Sequence, residues 1–148
     1  MTTRPKIIAV DFDGTLCDHR FPEIGDEVPG AFEWLRRWQE AQARLILWTM
    51  RSDMRATARS PEGNAADRDY LGEAVRWCRD RGIEWWGVNE NPDQFQWTAS
   101  PKVYAHIYID DAAYGVPLRE MPRMGARPAV DWSIVGPAVL AILTGSAS

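Results

Sequence analysis

At 148 residues, with 45% hydrophobic and 26% charged residues and a formal net charge of −4, the chain has the size and make-up of one globular domain. The bulk charge argues against nucleic acid as the default partner and leaves room only for a local basic groove. No apolar run approaches the ~20 residues that a bilayer span needs. The N-terminus is polar, with no secretory core. Cys17 and Cys78 are the only cysteines, which implies no disulfide scaffold and fits free thiols in a reducing, cytoplasmic setting.

Residues 6–10 form an unbroken apolar run that reads as a buried parallel strand. It ends on Asp11 and Asp13, and Gly14 and Thr15 then turn the chain. A loop follows over 16–29. Phe32, Leu35, Trp38 and Ala41 recur at helical steps and predict a helix over 31–42. Arg44 to Trp48 is a second buried strand, ending at Thr49. The polar stretch 51–66 is a surface loop or a frayed helix. Leu71, Ala74, Val75 and Cys78 share one face of a helix over 67–81, which Gly82 stops. Ile83 to Val88 is a third strand, and 89–101 is a loop with two prolines. Val103 to Ile109 is a fourth strand, ending at Asp110 and Asp111. Residues 114–130 are rich in Gly and Pro and read as irregular. A last helix covers 133–143, with Gly136 and Pro137 obscuring its start.

Strands alternating with helices predict a three-layer, Rossmann-like α/β fold with a mostly parallel central sheet, one domain spanning 1–148. Three of the four strands end in a side chain able to do chemistry: Asp11 and Asp13, Thr49, and the pair Asp110–Asp111. In open parallel sheets the ligand crevice lies at those carboxyl ends. Lys102 precedes the fourth strand and reaches the crevice if its segment folds over it. Carboxylates ending buried strands need a cation or a hydrogen-bond network to offset their charge. Together with a hydroxyl and an ammonium they describe a site for Mg2+ and phosphate.

The pattern Asp11-Phe-Asp13-Gly-Thr-Leu, then Leu47-Trp-Thr49, then Lys102, then Ile109-Asp110-Asp111 resembles the haloacid dehalogenase superfamily, whose four short motifs occur in this order across residues 11–111. The wider pattern is similar to small bacterial hydrolases of that superfamily. The resemblance implies that Asp11 is a nucleophile and that Asp13 is the general acid and base. It implies Mg2+ held by the Asp11 carboxylate, the Asp13 backbone carbonyl and Asp110. Thr49 would bind a phosphoryl oxygen, Lys102 would neutralise charge on the transferring group, and Asp111 would orient Lys102 or a metal-bound water. An acid in the Asp13 position favours phosphate-ester hydrolysis over dehalogenation, because an alkoxide leaving group needs a proton and a halide does not.

The segments between the motifs are used up by ordinary loops, helices and a strand, so a capless form with rim loops at 16–29, 51–66 and 90–100 is expected. An open site of that kind admits a macromolecular phosphoester, or a small phosphate enclosed by a neighbouring subunit of a homo-oligomer. The rival reading is a non-catalytic phosphoacceptor or phosphate-sensing module, which uses the same residue types around Mg2+. Asp13, two residues after the nucleophile, would promote turnover rather than storage. His19 and Arg20 are candidates for substrate contact beside the simpler reading of a solvated loop, and Arg51 for gripping a second anionic group. His106 reads as a packed or hydrogen-bonded strand residue. Of the eight tryptophans, Trp34, Trp38, Trp48 and Trp77 are expected in or beside the core. Trp85 and Trp86 should point to opposite faces of a strand. Phe95, Trp97 and Trp132 fall on loops, where a large ring needs a reason.

Overall fold

The computed structural model describes residues 4–53 and 68–146. Strands β1 (Ile7–Val10), β2 (Arg44–Leu47), β3 (Gly87–Val88) and β4 (Ile107–Ile109) form one sheet in the order β3-β2-β1-β4, with every pairing parallel. Helices α1 (Ala31–Glu40), α2 (Tyr70–Arg79) and α3 (Trp132–Thr144) accompany it, with a small antiparallel ribbon of β5 (Leu118–Arg119) and β6 (Ala129–Val130). The architecture is the expected Rossmann-like α/β arrangement around a parallel central sheet. Most of the 51–66 segment, and residue 67 at the expected start of the second helix, lie outside the described residues.

Strand order accounts for the layers. From β1 through α1 to β2, and through α2 to β3, the chain steps one way across the sheet, and right-handed crossovers put both helices on one face. To reach β4 at the far edge the chain must return past β2 and β1. The same handedness sends residues 89–106 across the opposite face. The side chains sort accordingly. Ile8, Val10, Leu45 and Leu47 join Leu35, Trp38, Cys78 and Val139 of the three helices in the main core. Ala9 and Ile46, one residue out of phase, join Val103 and Ala105 in a smaller cluster on the other side. The third layer is therefore a loop-built one, with a single 3-10 turn at Gln94–Gln96. Trp85 and Trp86 diverge as expected, one packing on each cluster.

Several boundaries move for visible reasons. β4 begins at Ile107 rather than Val103, because residues 103–105 fold back: the Tyr108 hydroxyl donates to the Val103 carbonyl (2.7 Å) and accepts from the Ala105 N–H (3.2 Å). β3 is shorter than Ile83–Val88, since the Glu84 N–H is taken by the Gln39 side chain (2.9 Å) before the ladder starts. The irregular segment 114–130 closes into the β5–β6 ribbon and is tied to the first loop by Val130 N–H donating to the Gly14 carbonyl (3.1 Å). α3 starts at Trp132, capped by the Asp131 side chain accepting from the Ser133 N–H (3.0 Å). Pro137 sits one turn inside it, where it deprives only one carbonyl of its partner.

Trp132 is thus a fully buried helix residue rather than a loop aromatic, and its indole N–H donates to the Thr15 carbonyl (2.7 Å). Gly136 lets α3 settle directly on the Trp34 ring: a Cβ there would lie 2.2 Å from a ring carbon. The Gly136 carbonyl accepts from the Trp38 indole (3.0 Å). Full burial of side chains such as Trp38, Leu35 and Trp132 stabilises the fold by roughly 1.5–3 kcal/mol each. His106 is hydrogen-bonded, its Nδ1 accepting from the Ile7 N–H (2.9 Å). Among the described residues no helix is long and apolar enough to cross a membrane.

Candidate active site at the carboxyl ends of the strands

The connection leaving β1 runs over one face of the sheet and the connection entering β4 runs over the other. The crevice between these two strands is the topological switch point, where ligands bind in folds of this kind. Asp11 continues the β1 ladder for one more step, its N–H donating to the Ile109 carbonyl (2.9 Å). Its neighbours across the crevice are Asp110 and Asp111, and carboxylate oxygens of all three lie within 4.8 Å of one another. The Thr15 hydroxyl braces the group, donating to Asp11 Oδ2 (3.1 Å) and accepting from the Asp111 N–H (3.2 Å). Asp110 accepts from the Ala112 N–H (2.9 Å). His19 reaches over from the first loop, its Nε2 2.8 Å from Asp111 Oδ2. Gly14 makes that approach feasible: its φ is +82°, and a Cβ would lie 2.0 Å from His19 Nε2 and 2.4 Å from Asp111 Oδ2.

Three acids this close cannot all be charged without compensation. Burial is the main reason that the Asp11 carboxyl is pushed up to about 8, followed by its contact with Asp111 and the charge of Asp110. Asp110 is raised as well, first by burial and then by Asp111. A divalent cation would remove the conflict. The donors are hard oxygens, the set that suits Mg2+ rather than a softer metal.

Asp13 lies in a different environment. Phe12 faces the helix-side core, and past it the chain turns so that Asp13 meets Arg51. The guanidinium grips both carboxylate oxygens, with Nε 2.9 Å from Oδ2 and Nη2 2.8 Å from Oδ1. It also donates to the carbonyls of Pro22 (3.2 Å) and Glu23 (2.9 Å), and it stacks near the rings of Phe12 and Phe21. Arg51 is 2% exposed. Four of its five guanidinium N–H groups are taken up inside the protein by these partners. The Cys17 thiol approaches Asp13 Oδ1 at 3.8 Å, and burial pushes that thiol up to about 12, so it is an inert neighbour.

The first loop is a folded flap. Leu16 to Asp18 run beside Asp26 to Val28, with the Asp18 N–H donating to the Asp26 carbonyl (2.8 Å) and the Val28 N–H to that of Leu16 (2.9 Å). Buried Asp18 is clamped by Arg123 (2.6 Å), which holds its carboxyl below the usual range. Arg68 joins Glu23 on the flap (3.1 Å) to Glu73 on α2 (2.9 Å). Arg20 is exposed on this flap.

Thr49 follows β2, its N–H donating to the Asn89 side chain (2.8 Å) and its hydroxyl accepting from the Arg51 N–H (3.1 Å). Asn89 was not among the residues singled out from the sequence, yet it ends β3 as Thr49 ends β2, with a left-handed φ of 53°. All four strands therefore end in polar side chains. Lys102 is exposed on the loop-built layer, its Nζ 6.0 Å from the centre of the Tyr108 ring. Among the described residues its ammonium is in no ion pair and does not touch the acidic cluster. The site brings together Asp11, Asp110, Asp111 and His19. It holds Asp13, Arg51 and Thr49 as a second, linked group, and leaves Lys102 and Arg20 at the rim.

No protein-family model and no curated protein matches the chain. Among solved structures, it is similar over 98% of its length to 94% of a conserved protein coded by a locus of Bacteroides thetaiotaomicron, at 32% identity and a TM-score of 0.67.

Proposed function

The chain belongs to one family with that conserved Bacteroides thetaiotaomicron protein, and from the site it carries we propose a Mg2+-dependent phosphatase of haloacid dehalogenase type. The observation that carries the reading is the cluster of Asp11, Asp110 and Asp111 at the β1/β4 switch point. Asp11 and Asp110 would hold the cation together with the Asp13 backbone carbonyl. When bound, the cation supplies charge neutralisation that lets an anionic carboxylate meet an anionic phosphate.

In this reading an Asp11 oxygen attacks phosphorus in line. The bond from phosphorus to the ester oxygen breaks, and the leaving alkoxide takes a proton from Asp13. Asp13 then receives a proton from water, whose oxygen attacks the aspartyl-phosphate and frees Asp11. Thr15 fixes the Asp11 carboxylate in place, and the Thr49 hydroxyl stands ready for a phosphoryl oxygen. To act as the acid, Asp13 must free at least one oxygen from the Arg51 fork and take a proton from solvent on it before the ester bond breaks. Lys102 would turn toward the phosphoryl group from the rim.

The fork also favours a second reading, the phosphoacceptor module. If Arg51 never releases Asp13, a donor whose leaving group needs no proton still phosphorylates Asp11, and phospho-Asp11 then persists. Hydrolysis of an aryl phosphate with and without Mg2+, by wild type and by Asp11→Asn and Asp13→Asn, tests both. The phosphatase reading expects Mg2+-dependent turnover, background rates for Asp11→Asn and a loss of about 10²–10⁴-fold for Asp13→Asn. Equal rates for wild type and Asp11→Asn would sink it. One equivalent of phosphate taken up without further turnover would select the second reading.

A further inference from the structure

The loop-built face carries an arrangement that the phosphate chemistry does not explain. A cavity of about 330 Å³ is walled by Trp97, Tyr104, Tyr108, Thr98 and Lys102, at the small end of the range for small-molecule sites. Its three rings are unusually open: Trp97 is 65% exposed, and Tyr104 and Tyr108 are each 41% exposed. They are also fixed. The Tyr108 hydroxyl is held by the Val103 carbonyl (2.7 Å) and the Ala105 N–H (3.2 Å). Tyr104 is braced edge-on by Trp97 (5.8 Å) and His106 (5.4 Å). Exposing large rings to water without contact is unfavourable, and holding them rigid suits them to bind another flat surface at low entropic cost.

One wall of the cavity, Tyr108, stands on the same face of the sheet as Asp11, while Trp97 and Tyr104 extend it toward Arg4 and Ile7 at the start of β1. Tyr108 is the register partner of Ala9, and Asp11 follows Ala9 by two residues on the same face, about 7 Å of strand farther on. Lys102 lines the cavity, and its ammonium is in no ion pair among the described residues. A ring on Tyr108 is thus two strand residues from Asp11 along the same face, and Lys102 is the cation that borders it.

We propose that the Trp97–Tyr104–Tyr108 cavity receives the leaving-group side of the substrate, a nucleobase-sized planar ring carried on a phosphate ester. This rests on the phosphatase reading for the position of the phosphate, not for the ring. The same ring could come from a free nucleotide or from the phosphorylated end of a strand.

Calorimetry with Mg2+ and non-hydrolysable phosphonate isosteres of a nucleoside 5′-monophosphate and of ribose 5-phosphate tests it. The ring-bearing ligand should bind about 10-fold more tightly or better, and Trp97→Ala should bring that ratio toward one. Tyr108→Phe, which keeps the ring but removes its two hydrogen bonds, should give an intermediate ratio. Wild-type affinities within twofold of each other, or a ratio unmoved by Trp97→Ala in a protein that melts like wild type, would overturn the proposal. Given a ring preference, tighter binding of the matching dinucleotide assigns the ring to a strand end, and equal binding assigns it to a free nucleotide. Turnover of the corresponding esters is read separately. Ring-selective binding without hydrolysis would sink the phosphatase reading and leave the cavity assigned. Hydrolysis with no ring preference would do the reverse.

Discussion

Asp11 and Asp13 are two residues apart, yet the regions around them are opposites. Around Asp11, two more carboxylates crowd in from the end of β4, and among the described residues no Lys or Arg pairs with them, only the His19 imidazole at Asp111. Around Asp13, a buried guanidinium takes both oxygens and ties them to the flap. The first region is strained in charge and the second is satisfied. A cluster of like charges that lowers stability persists where binding needs it, whereas a buried, paired charge holds structure together. The Asp11 region is accordingly where a ligand is expected, and the Arg51 fork is what positions the flap and Asp13 beside it.

The contrast is broken most severely at the fork. Arg51→Ala leaves the Asp13 carboxylate and two flap carbonyls without their partner, and should cost about 3–5 kcal/mol, read as a lowered denaturant midpoint. A loss below ~1 kcal/mol would mean that the fork is not a structural tie. Gly14→Ala comes next. The new Cβ would meet both His19 and Asp111 and would sit at positive φ, so a cost of about 2–3 kcal/mol and weakened Mg2+ binding are expected. Asp18→Asn weakens the clamp to Arg123 by about 1–2 kcal/mol. Its effect should fade in acid: the native Asp18 carboxyl is held below its unfolded value, so its stabilisation is present above about pH 4 and is lost as pH falls through the native value.

The smallest change should have the opposite sign. Asp11→Asn removes one of three crowded acids, and should stabilise the metal-free protein by about 1 kcal/mol at neutral pH. The native Asp11 carboxyl is raised to about 8, well above its unfolded value. The folded wild type therefore binds more protons than the unfolded chain across that window, and its metal-free stability falls as pH rises from about 4 toward 8. Thermal melts of the two proteins over that range should separate progressively, and Mg2+ should close the gap by stabilising only wild type. Parallel melts at every pH would show that Asp11 is not under electrostatic strain.

The sequence exposes one of these regions more readily than the other. β1, β2 and the end of β4 are short apolar runs that stop on polar residues, so their carboxyl ends, and with them Asp11, Thr49 and Asp110, are legible from local pattern alone. The fork is not. Arg51 meets Asp13 only because the flap folds up and supplies the Pro22 and Glu23 carbonyls, a tertiary event with no local signature. Asn89 escaped notice although the expected third strand ends at Val88, because an asparagine that opens a loop with two prolines reads as a turn residue. Trp132 looked like a loop aromatic because Gly136 and Pro137 masked the helix that buries it. In that helix, the missing Gly136 side chain is what admits Trp34. The open rings of Trp97, Tyr104 and Tyr108 follow from the fold-back of residues 103–105, which reads in sequence as part of the fourth strand.

The central claim is that Asp11 carries the phosphoryl group. Mixing the protein with Mg2+ and a phosphate ester, quenching with borohydride and mapping peptides by mass spectrometry tests it directly, because an acyl-phosphate is reduced to the alcohol at the residue that bore it. The account predicts homoserine at position 11, dependent on both Mg2+ and substrate. Sustained turnover with position 11 unmodified, or the same product at Asp13 or Asp110 instead, would contradict it.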